Sequence, residues 1–301
     1  MQDVPELPAW LADLLPVRRA VSVLADGCRI HRIDHGEPDA PVVLLLHGNP
    51  TWSFLWRDVI ARLSGFRCVA PDLLGFGLSS RIALHEHSVE RHVDALAELV
   101  EALGLRRFVL VGQDWGGALG PVLAARLPER VAGVVLGNTS VVLPPRPRGT
   151  WFHRFARLPV VSDLAFRGLG FPQNALWVAQ GDRRSIRGPV ARGYRWPLRH
   201  LSDRSGPLAL ARMVPDSFEH PSIAPLRRGE AWLREFVAAG GPLALVWGER
   251  DPILGRALAR HERAFSGASV TRTPAGHFLQ EEVPEALAAA IRAVASRAGM
   301  R

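Results

Sequence analysis

Residues 108–117 decide the fold, and they read FVLVGQDWGG. The apolar run 108–111 predicts a strand buried on both faces, and residues 116–126 predict the helix that follows it. Between them stands a small–x–acid–x–small pattern, the form of a nucleophile elbow, which is a turn too tight for large flanking side chains. Such a turn presents Asp114 at the carboxyl edge of a parallel sheet, where a helix N-terminus favours negative charge. Asp114 is therefore the candidate nucleophile, and a carboxylate in this position would form a covalent ester.

Strands and helices alternate along most of the chain, as a parallel sheet requires. Asp26-Gly27, a hairpin signal, lies between two predicted strands, 20–24 and 29–34. The alternation breaks between 144 and 225, a stretch rich in proline, arginine and aromatic residues. The sequence thus predicts an α/β-hydrolase fold, a mostly parallel doubly wound sheet with an inserted helical lid. Further strands are predicted at 42–46, 67–70, 131–136, 243–247 and 269–273, with helices at 55–63, 88–103, 231–238 and 256–265 and a final helix. The core would comprise 1–143 and 226–301, and the cap 144–225.

Two further residues complete a candidate catalytic triad with Asp114. Asp251 follows the predicted strand 243–247, and His277 follows the last predicted strand. The order nucleophile, acid, histidine is the order of this fold. The strand 131–136 is an alternative place for the acid, but no carboxylate follows it until Asp163. Asp251 therefore takes the role by exclusion, since Glu249 lies too close to the end of its strand.

A second loop supplies the candidate oxyanion hole. The sequence His47-Gly48-Asn49-Pro50 directly follows the predicted strand 42–46. In this fold, that loop offers one backbone N–H, and the residue after the nucleophile offers the other. Here the two donors would be the backbone N–H groups of Asn49 and Trp115.

Composition and motifs exclude several classes of protein. Only two cysteines are present, which excludes a disulfide scaffold and favours a reducing cytoplasm. The apolar runs are too short to span a bilayer, and the N-terminus does not resemble a signal peptide. No cofactor or metal is expected. Gly75-Phe76-Gly77 lacks the third glycine of a dinucleotide fingerprint. His85, His87 and His92 lack companion ligands, and we expect them on a solvated surface.

The charge is unevenly distributed. Formal net charge is +8, and every basic residue is arginine. Residues 146–205 hold twelve arginines against three aspartates. Nucleic-acid binding is not expected, because this segment has no recognisable binding motif. Two explanations stay open, namely coding bias on a solvated surface, or docking of the cap on an anionic membrane or an acidic partner.

Three stretches resemble the haloalkane dehalogenases. They are HGNPTWSFLWR at 47–57, PDLLGFGLS at 71–79 and GQDWGG at 112–117. The late acid Asp251, together with Asn49 and Trp115, resembles their third subfamily. The resemblance implies a small lipophilic haloalkane as substrate and a halide ion as product. It also implies that the Asn49 side-chain amide and the Trp115 indole N–H bind the halide.

Other functions remain open for the same residues. A β-lactone decarboxylase of olefin biosynthesis could use the same aspartate, histidine, asparagine and tryptophan. Epoxide hydrolases share the aspartate elbow, but they add two lid tyrosines, and this chain has one tyrosine in total, Tyr194. A non-catalytic binding protein would leave the complete triad unexplained. The sequence fixes neither the chain length and halogen of the substrate nor the oligomeric state.

Overall fold

The computed structural model describes residues 3–148 and 150–300, and these ranges contain an eight-stranded sheet. The strand order is β1-β2-β4-β3-β5-β6-β7-β8, with β1/β2 and β2/β4 antiparallel and the other pairs parallel. The predicted mostly parallel, doubly wound sheet is thus confirmed. The strands are β1 Arg19–Val23, β2 Arg29–His35, β3 Val42–Leu46, β4 Arg67–Pro71, β5 Phe108–Gln113, β6 Val131–Gly137, β7 Leu243–Gly248 and β8 Ser269–Thr273.

Helices cover both faces of this sheet. Their bounds are α1 Ala9–Ala12, α2 Arg57–Ile60, α3 Val89–Ala102, α4 Trp115–Arg126, α5 Trp151–Ala156, α6 Val161–Asp163, α7 Gly188–Arg195, α8 Ser205–Met213, α9 Ile223–Ala238, α10 Leu258–Ala264, α11 Leu279–Glu282 and α12 Pro284–Arg297. The central strand β3 shows why both faces of the sheet are buried. Its Leu44 and Leu46 pack with residues of α3, α4 and α9, whereas Val43 and Leu45 pack on the other side with α2 and α12. Alternate side chains of a strand point to opposite faces, so a strand that is apolar throughout must be buried on both.

The turn predicted between the first two strands and the N-cap predicted for the helix at 88–103 are both present in the structure. The predicted hairpin is confirmed, because β1 and β2 pair from Arg19 opposite Ile33 to Val23 opposite Arg29. Gly27 in its turn has a φ of 84°, a conformation that glycine adopts without steric cost. Ser88 is the N-cap of α3, as predicted, and its hydroxyl accepts the Arg91 backbone N–H at 3.0 Å.

Two predicted helices have different bounds in the structure. The helix predicted at 55–63 is a 3-10 turn, Ser53–Trp56, followed by α2, which ends at Ile60. The Asp72 carboxylate accepts the Ser53 backbone N–H at 2.7 Å, which starts the turn early.

The helix predicted at 231–238 is the end of α9, which begins at Ile223. Pro225, at which the sequence predicts the end of the irregular stretch, lies in the first turn of α9. Proline is tolerated there because its missing N–H has no partner within the helix. The predicted cap boundary at 225 therefore falls inside α9, and the division 1–143, 144–225 and 226–301 stays a prediction.

The inserted segment has its own small core. Phe152, Phe155, Phe166 and Phe171 pack against one another with ring centroids 5.7–6.3 Å apart. Phe166 is fully buried among them. These aromatic side chains therefore hold the helices of the insertion together. Within the described ranges, no helix is long and apolar enough to cross a membrane.

Candidate active site

Asp114 occupies a strained turn between β5 and α4. Its φ is 51° and its ψ is −123°, an uncommon conformation for a residue with a side chain. The glycines on either side allow it. A Cβ on Gly112 would meet the Gly116 carbonyl at 2.5 Å, and a Cβ on Gly116 would collide with the Leu46 carbonyl of β3. The turn aims the Asp114 carboxylate into a cavity, and 15% of that side chain remains exposed.

Asp114, His277 and Asp251 lie together in the structure. The His277 Nε2 atom is 3.7 Å from Asp114 Oδ2, and its Nδ1 atom is 2.8 Å from Asp251 Oδ2. Both His277 and Asp251 are almost fully buried. With the Nδ1–H donating to Asp251, Nε2 carries the lone pair and faces Asp114. This is the arrangement of a general base held by a carboxylate.

Burial and mutual charge set the ionisation of the three residues. Burial raises the pKa of Asp114, although His277 and the backbone N–H groups of Asn49 and Trp115 oppose the rise. Burial also disfavours charge on Asp251, but His277 and hydrogen bonds outweigh it and lower the pKa of that carboxyl. The pKa of His277 is raised, because Asp251 and then Asp114 overcome the effect of burial. An ionised Asp251 thus stabilises a protonated His277.

The loop after β3 brings the candidate oxyanion donors to Asp114. The Asn49 backbone N–H donates to Asp114 Oδ1 at 2.7 Å. The imidazole of His47 holds this loop, since its Nδ1–H donates to Gly48 O at 3.0 Å and its Nε2 accepts the Leu73 N–H at 2.9 Å. His47 is fully buried, and burial lowers its pKa, which keeps the ring neutral for both bonds. His47 therefore shapes the loop and does not face the cavity.

The side chains of Asn49 and Trp115 line the same cavity as Asp114. The Asn49 Nδ2 atom donates one hydrogen to the Pro207 carbonyl at 3.0 Å, which fixes the plane of the amide. Its second N–H is left for another acceptor. Together with the indole N–H of Trp115, it offers donors without a formal charge beside the candidate nucleophile.

Asn138 is a site residue that the sequence analysis did not identify. Its Nδ2 donates to Asp251 Oδ2 at 2.6 Å and to Gly248 O at 3.1 Å, and its Oδ1 accepts the Gly248 N–H at 2.7 Å. The Ile253 N–H donates to the other Asp251 oxygen at 2.7 Å. Asn138 follows β6, the strand where the acid was sought and excluded. An amide at this position was the available signal, and its role is to hold the carboxylate that comes from the next strand.

Gln113, the residue before Asp114 in the elbow, also contacts the candidate base. Its Nε2 donates to the His277 carbonyl at 3.0 Å and lies 3.3 Å from His277 Nε2. The residue before Asp114 in the chain therefore steadies His277.

A segment of the insertion also holds the histidine loop, which no sequence pattern indicated. The Ala179 carbonyl accepts the His277 backbone N–H at 2.8 Å. The Gln180 side chain accepts the Phe278 N–H at 2.9 Å and donates to the Phe278 carbonyl at 3.2 Å. Glu282 accepts the backbone N–H groups of Gly276, Gly181 and Asp182 at 2.7–3.0 Å. We call these bonds between 179–182 and 276–282 the histidine clamp.

The cavity above Asp114 is large and mainly apolar. Its volume is about 810 Å³, within the range of about 300–1,000 Å³ that is common for small-molecule sites. The insertion forms one side and the sheet edge the other. Its apolar lining includes Leu143, Trp151, Phe152, Phe171, Val178, Ala211, Leu226 and Phe278. A lipophilic molecule could therefore reach the carboxylate with water largely excluded.

Two other sequence motifs have structural roles. His87 and His92 are buried and lie 3.1 Å apart, Nδ1 to Nε2, so the expectation that they lie on a solvated surface is wrong. Burial lowers the pKa of His87 to about 4, which keeps this imidazole neutral. A Cβ on Gly77 would collide with the buried Asp72 carboxylate, so this glycine serves close packing. Among the described residues, no group of three or more potential ligands is placed to hold a metal.

The chain is similar to haloalkane dehalogenases in sequence and in structure. A family model described as alpha/beta hydrolase fold matches residues 41–284. The chain is 36% identical over 269 residues to haloalkane dehalogenase 2 of Mycobacterium bovis, covering 87% of this chain and 90% of that protein. It is also 36% identical over 267 residues to a haloalkane dehalogenase of Mycobacterium marinum, covering 84% of each. Among solved structures, it is similar to the haloalkane dehalogenase DatA from Agrobacterium tumefaciens, with a TM-score of 0.81, 27% identity and coverage of 93% and 97%.

Proposed function

The chain belongs to the haloalkane dehalogenases of the α/β-hydrolase fold, and we propose that it hydrolyses its substrate through a covalent alkyl ester on Asp114. It is a hydrolase acting on carbon–halide bonds. One observation carries the proposed mechanism. An elbow carboxylate, a carboxylate-held histidine at 3.7 Å and two uncharged side-chain donors face one apolar cavity.

The first step is displacement at carbon. An oxygen of ionised Asp114 attacks the halogen-bearing carbon, the carbon–halogen bond breaks, and the halide leaves with the bonding electrons. Asn49 Nδ2–H and the Trp115 indole N–H donate to the departing anion. Donors aimed at the place where charge develops lower the barrier, since they do not have to reorganise during the reaction. The apolar cavity strengthens these interactions by excluding water.

The second step releases the alcohol. Nε2 of His277 takes a proton from water, and the resulting hydroxide adds to the ester carbon of Asp114. The backbone N–H groups of Asn49 and Trp115 face the oxyanion that forms. Asp251 stabilises the imidazolium. Collapse then breaks the bond between the carbonyl carbon and the alkoxy oxygen, and His277 returns the proton to the leaving alcohol.

The covalent ester can be tested with His277→Phe, which should attack carbon but be unable to hydrolyse the ester. After exposure to 1-bromobutane, mass spectrometry should find a butyl adduct on the peptide that contains Asp114. The double variant Asp114→Ala/His277→Phe is the control and should carry no adduct. An unmodified Asp114 in a folded His277→Phe protein that still turns over substrate would overturn the mechanism.

Substrates of other classes are separated by product analysis. Tyr194, the single tyrosine, is fully buried, and its hydroxyl donates to Glu281. It is thus engaged away from the cavity, which disfavours protonation of an epoxide oxygen. A panel of bromoalkanes, epoxides and β-lactones should give alcohol and bromide from the first class.

The surface of the cap combines exposed aliphatic side chains with arginines, and this combination bears on where in the cell the enzyme acts. Exposed aliphatic side chains follow one another between residues 158 and 169, with Val160 at 78% and Leu164 at 63% exposed. Arginines without a carboxylate within 4.0 Å among the described residues, such as Arg154 and Arg199, lie in the same cap. We propose that this face docks on anionic lipid inside the cell. The free thiols Cys28 and Cys68 agree with a reducing compartment.

A further inference from the structure

The cavity that holds the proposed nucleophile is lined by more basic than acidic residues. Four arginines line it, namely Arg146, Arg148, Arg256 and Arg260. Among the described residues that line this cavity, Asp114 is the sole carboxylate. We call the four arginines the guanidinium wall. A neutral haloalkane gains nothing from such an excess of positive charge.

The four arginines come from two segments of the chain. Arg146 and Arg148 lie in the loop after β6, Arg256 lies in the short 3-10 helix Gly255–Ala257 that precedes α10, and Arg260 lies within α10. The loop and the helix are bonded together. The Val141 N–H donates to His261 Nε2 at 3.1 Å, and the Arg260 guanidinium donates to Val142 O at 3.4 Å. The wall is therefore built by two adjoining segments.

These guanidinium groups are not neutralised by neighbouring acids. Within 3–148 and 150–300, none of the four lies within 4.0 Å of a carboxylate oxygen. Glu230 is close by, but its Oε2 accepts the Leu143 N–H at 3.1 Å and its Oε1 binds Arg234 at 2.6 Å. Burial, followed by repulsion from Arg263, lowers the pKa of Arg260. Coding bias would explain arginine in place of lysine, but it does not explain a wall without acidic partners.

We propose that the guanidinium wall binds the carboxylate of an amphipathic substrate whose halogen-bearing carbon reaches Asp114. This inference rests on the proposed function and names its substrate class. Arg146, Arg148 and Arg256 are exposed while Asp114 and Trp115 are largely buried, so the wall lies at the outer end of the cavity. The apolar lining between the two ends fits an alkyl chain, and the volume exceeds the need of a short haloalkane. Arginine binds carboxylate with two parallel hydrogen bonds, which gives orientation as well as affinity.

The wall takes no part in the bonds that form and break. It would act on binding, so its effect belongs in KM and in kcat/KM at low substrate. A charged hydrogen-bonded contact changes affinity by about tenfold or more. We expect kcat/KM for 8-bromooctanoate to exceed that for its methyl ester by at least about tenfold, and added salt should reduce the difference.

The test removes the exposed part of the wall. In Arg146→Gln/Arg148→Gln/Arg256→Gln, the preference for the acid over the ester should fall close to unity. The matched control is Arg183→Gln/Arg187→Gln/Arg199→Gln, which removes the same charge from exposed cap arginines that do not line this cavity. The control should keep the preference. Equal rates for acid and ester in the wild type, or a preference that survives in the wall variant, would overturn the inference.

A binding measurement separates this inference from the proposed function. Calorimetry with octanoate and with 1-octanol needs no reaction. Octanoate should bind the wild type at least about tenfold more tightly than octanol, and the wall variant should lose this difference. If neither 8-bromooctanoate nor its methyl ester releases bromide, but tight binding of octanoate still depends on the guanidinium wall, the carboxylate subsite stands and the proposed function fails. If bromide is released but octanoate binds no better than octanol, the subsite is wrong and the dehalogenase function stands.

Discussion

Trp115 and Asn49 are the residues through which the departing halide would be stabilised. Each presents an N–H without formal charge beside Asp114. Losing one preorganised donor costs on the order of 3 kcal/mol in a transition state, about a hundredfold in rate. Trp115→Phe and Asn49→Ala should each slow bromide release from 1-bromobutane by about that factor. Rapid-quench measurement of the bromide burst reads this step directly.

The same pair can be tested by binding alone. Bromide and iodide should quench the fluorescence of the wild type with a saturable component from bound halide. Trp115→Phe should lose this component and keep only the collisional quenching of exposed tryptophans such as Trp151. Trp177→Phe is a suitable control, since Trp177 is partly exposed and does not line the catalytic cavity. Normal dehalogenation in both Trp115→Phe and Asn49→Ala would show that the halide site is elsewhere.

The pH dependence of alkylation should reveal the coupling between Asp114 and His277. Asp114 must be ionised to attack, and burial raises its pKa above the usual 3.8, whereas protonated His277 opposes that rise. Removing His277 removes the opposition, so the pKa of Asp114 should rise further in His277→Phe. The pH below which the bromide burst disappears should therefore be higher in His277→Phe than in the wild type.

A histidine outside the site provides the control for this experiment. His85 is exposed. In His85→Phe, the bromide burst should disappear below the same pH as in the wild type. If this pH is unchanged or lower in His277→Phe, the proposed coupling between Asp114 and His277 is wrong.

At the scale of elements, the histidine clamp connects the cap to His277, which we propose as the base of the hydrolysis step. Gln180→Leu removes two hydrogen bonds to Phe278, the neighbour of His277. Each net hydrogen bond contributes about 1 kcal/mol, so hydrolysis of the ester should slow by up to about thirtyfold. Alkylation, which does not need the base, should keep its rate. The bromide burst should therefore persist while steady-state turnover falls.

The cap offers a matched glutamine for comparison. Gln173 is also buried in the cap, but it does not contact the histidine loop in the described part of the chain. Gln173→Leu should keep the ratio of burst to turnover. A Gln180→Leu enzyme whose alkylation slows as much as its hydrolysis would argue for a general disturbance of the cavity.

Local sequence patterns predict what depends on local chemistry. The elbow could be placed because a buried strand, two glycines and a helix are contiguous around Asp114. Asp251 and His277 could be placed because each follows a strand. Asn138 also follows a strand, but an amide there does not indicate which carboxylate it binds, and its partner lies 113 positions away. Gln180 could not be placed, since its role arises from hydrogen bonds to a residue 98 positions away. The spacing of residues within one helix or strand does not indicate contacts with residues that are distant in the sequence.

At the scale of the whole molecule, sedimentation with vesicles tests whether the exposed aliphatic segment of the cap docks on anionic lipid. The wild type should sediment with anionic vesicles at low salt and dissociate at high salt, because exposed charges are screened over about 8 Å at physiological ionic strength. Val160→Asp/Leu164→Asp should bind less. Val270→Asp, in the edge strand β8, alters an exposed residue of the core and should bind like the wild type. Absence of binding at low salt would leave coding bias as the explanation of the cap's charge.

The histidine clamp also bears on how such enzymes diversify by exchange of segments. A gene crossover that replaces the cap with that of a relative also replaces the side chain at Gln180, while Phe278 and Glu282 are inherited from the recipient. A donor cap without a suitable amide would give a chimera that is alkylated at the normal rate but hydrolyses its ester more slowly. Screens that score total turnover would rank such a chimera as poor, although its new cavity had accepted the substrate. Supplying glutamine at position 180 should raise the turnover of these hybrids.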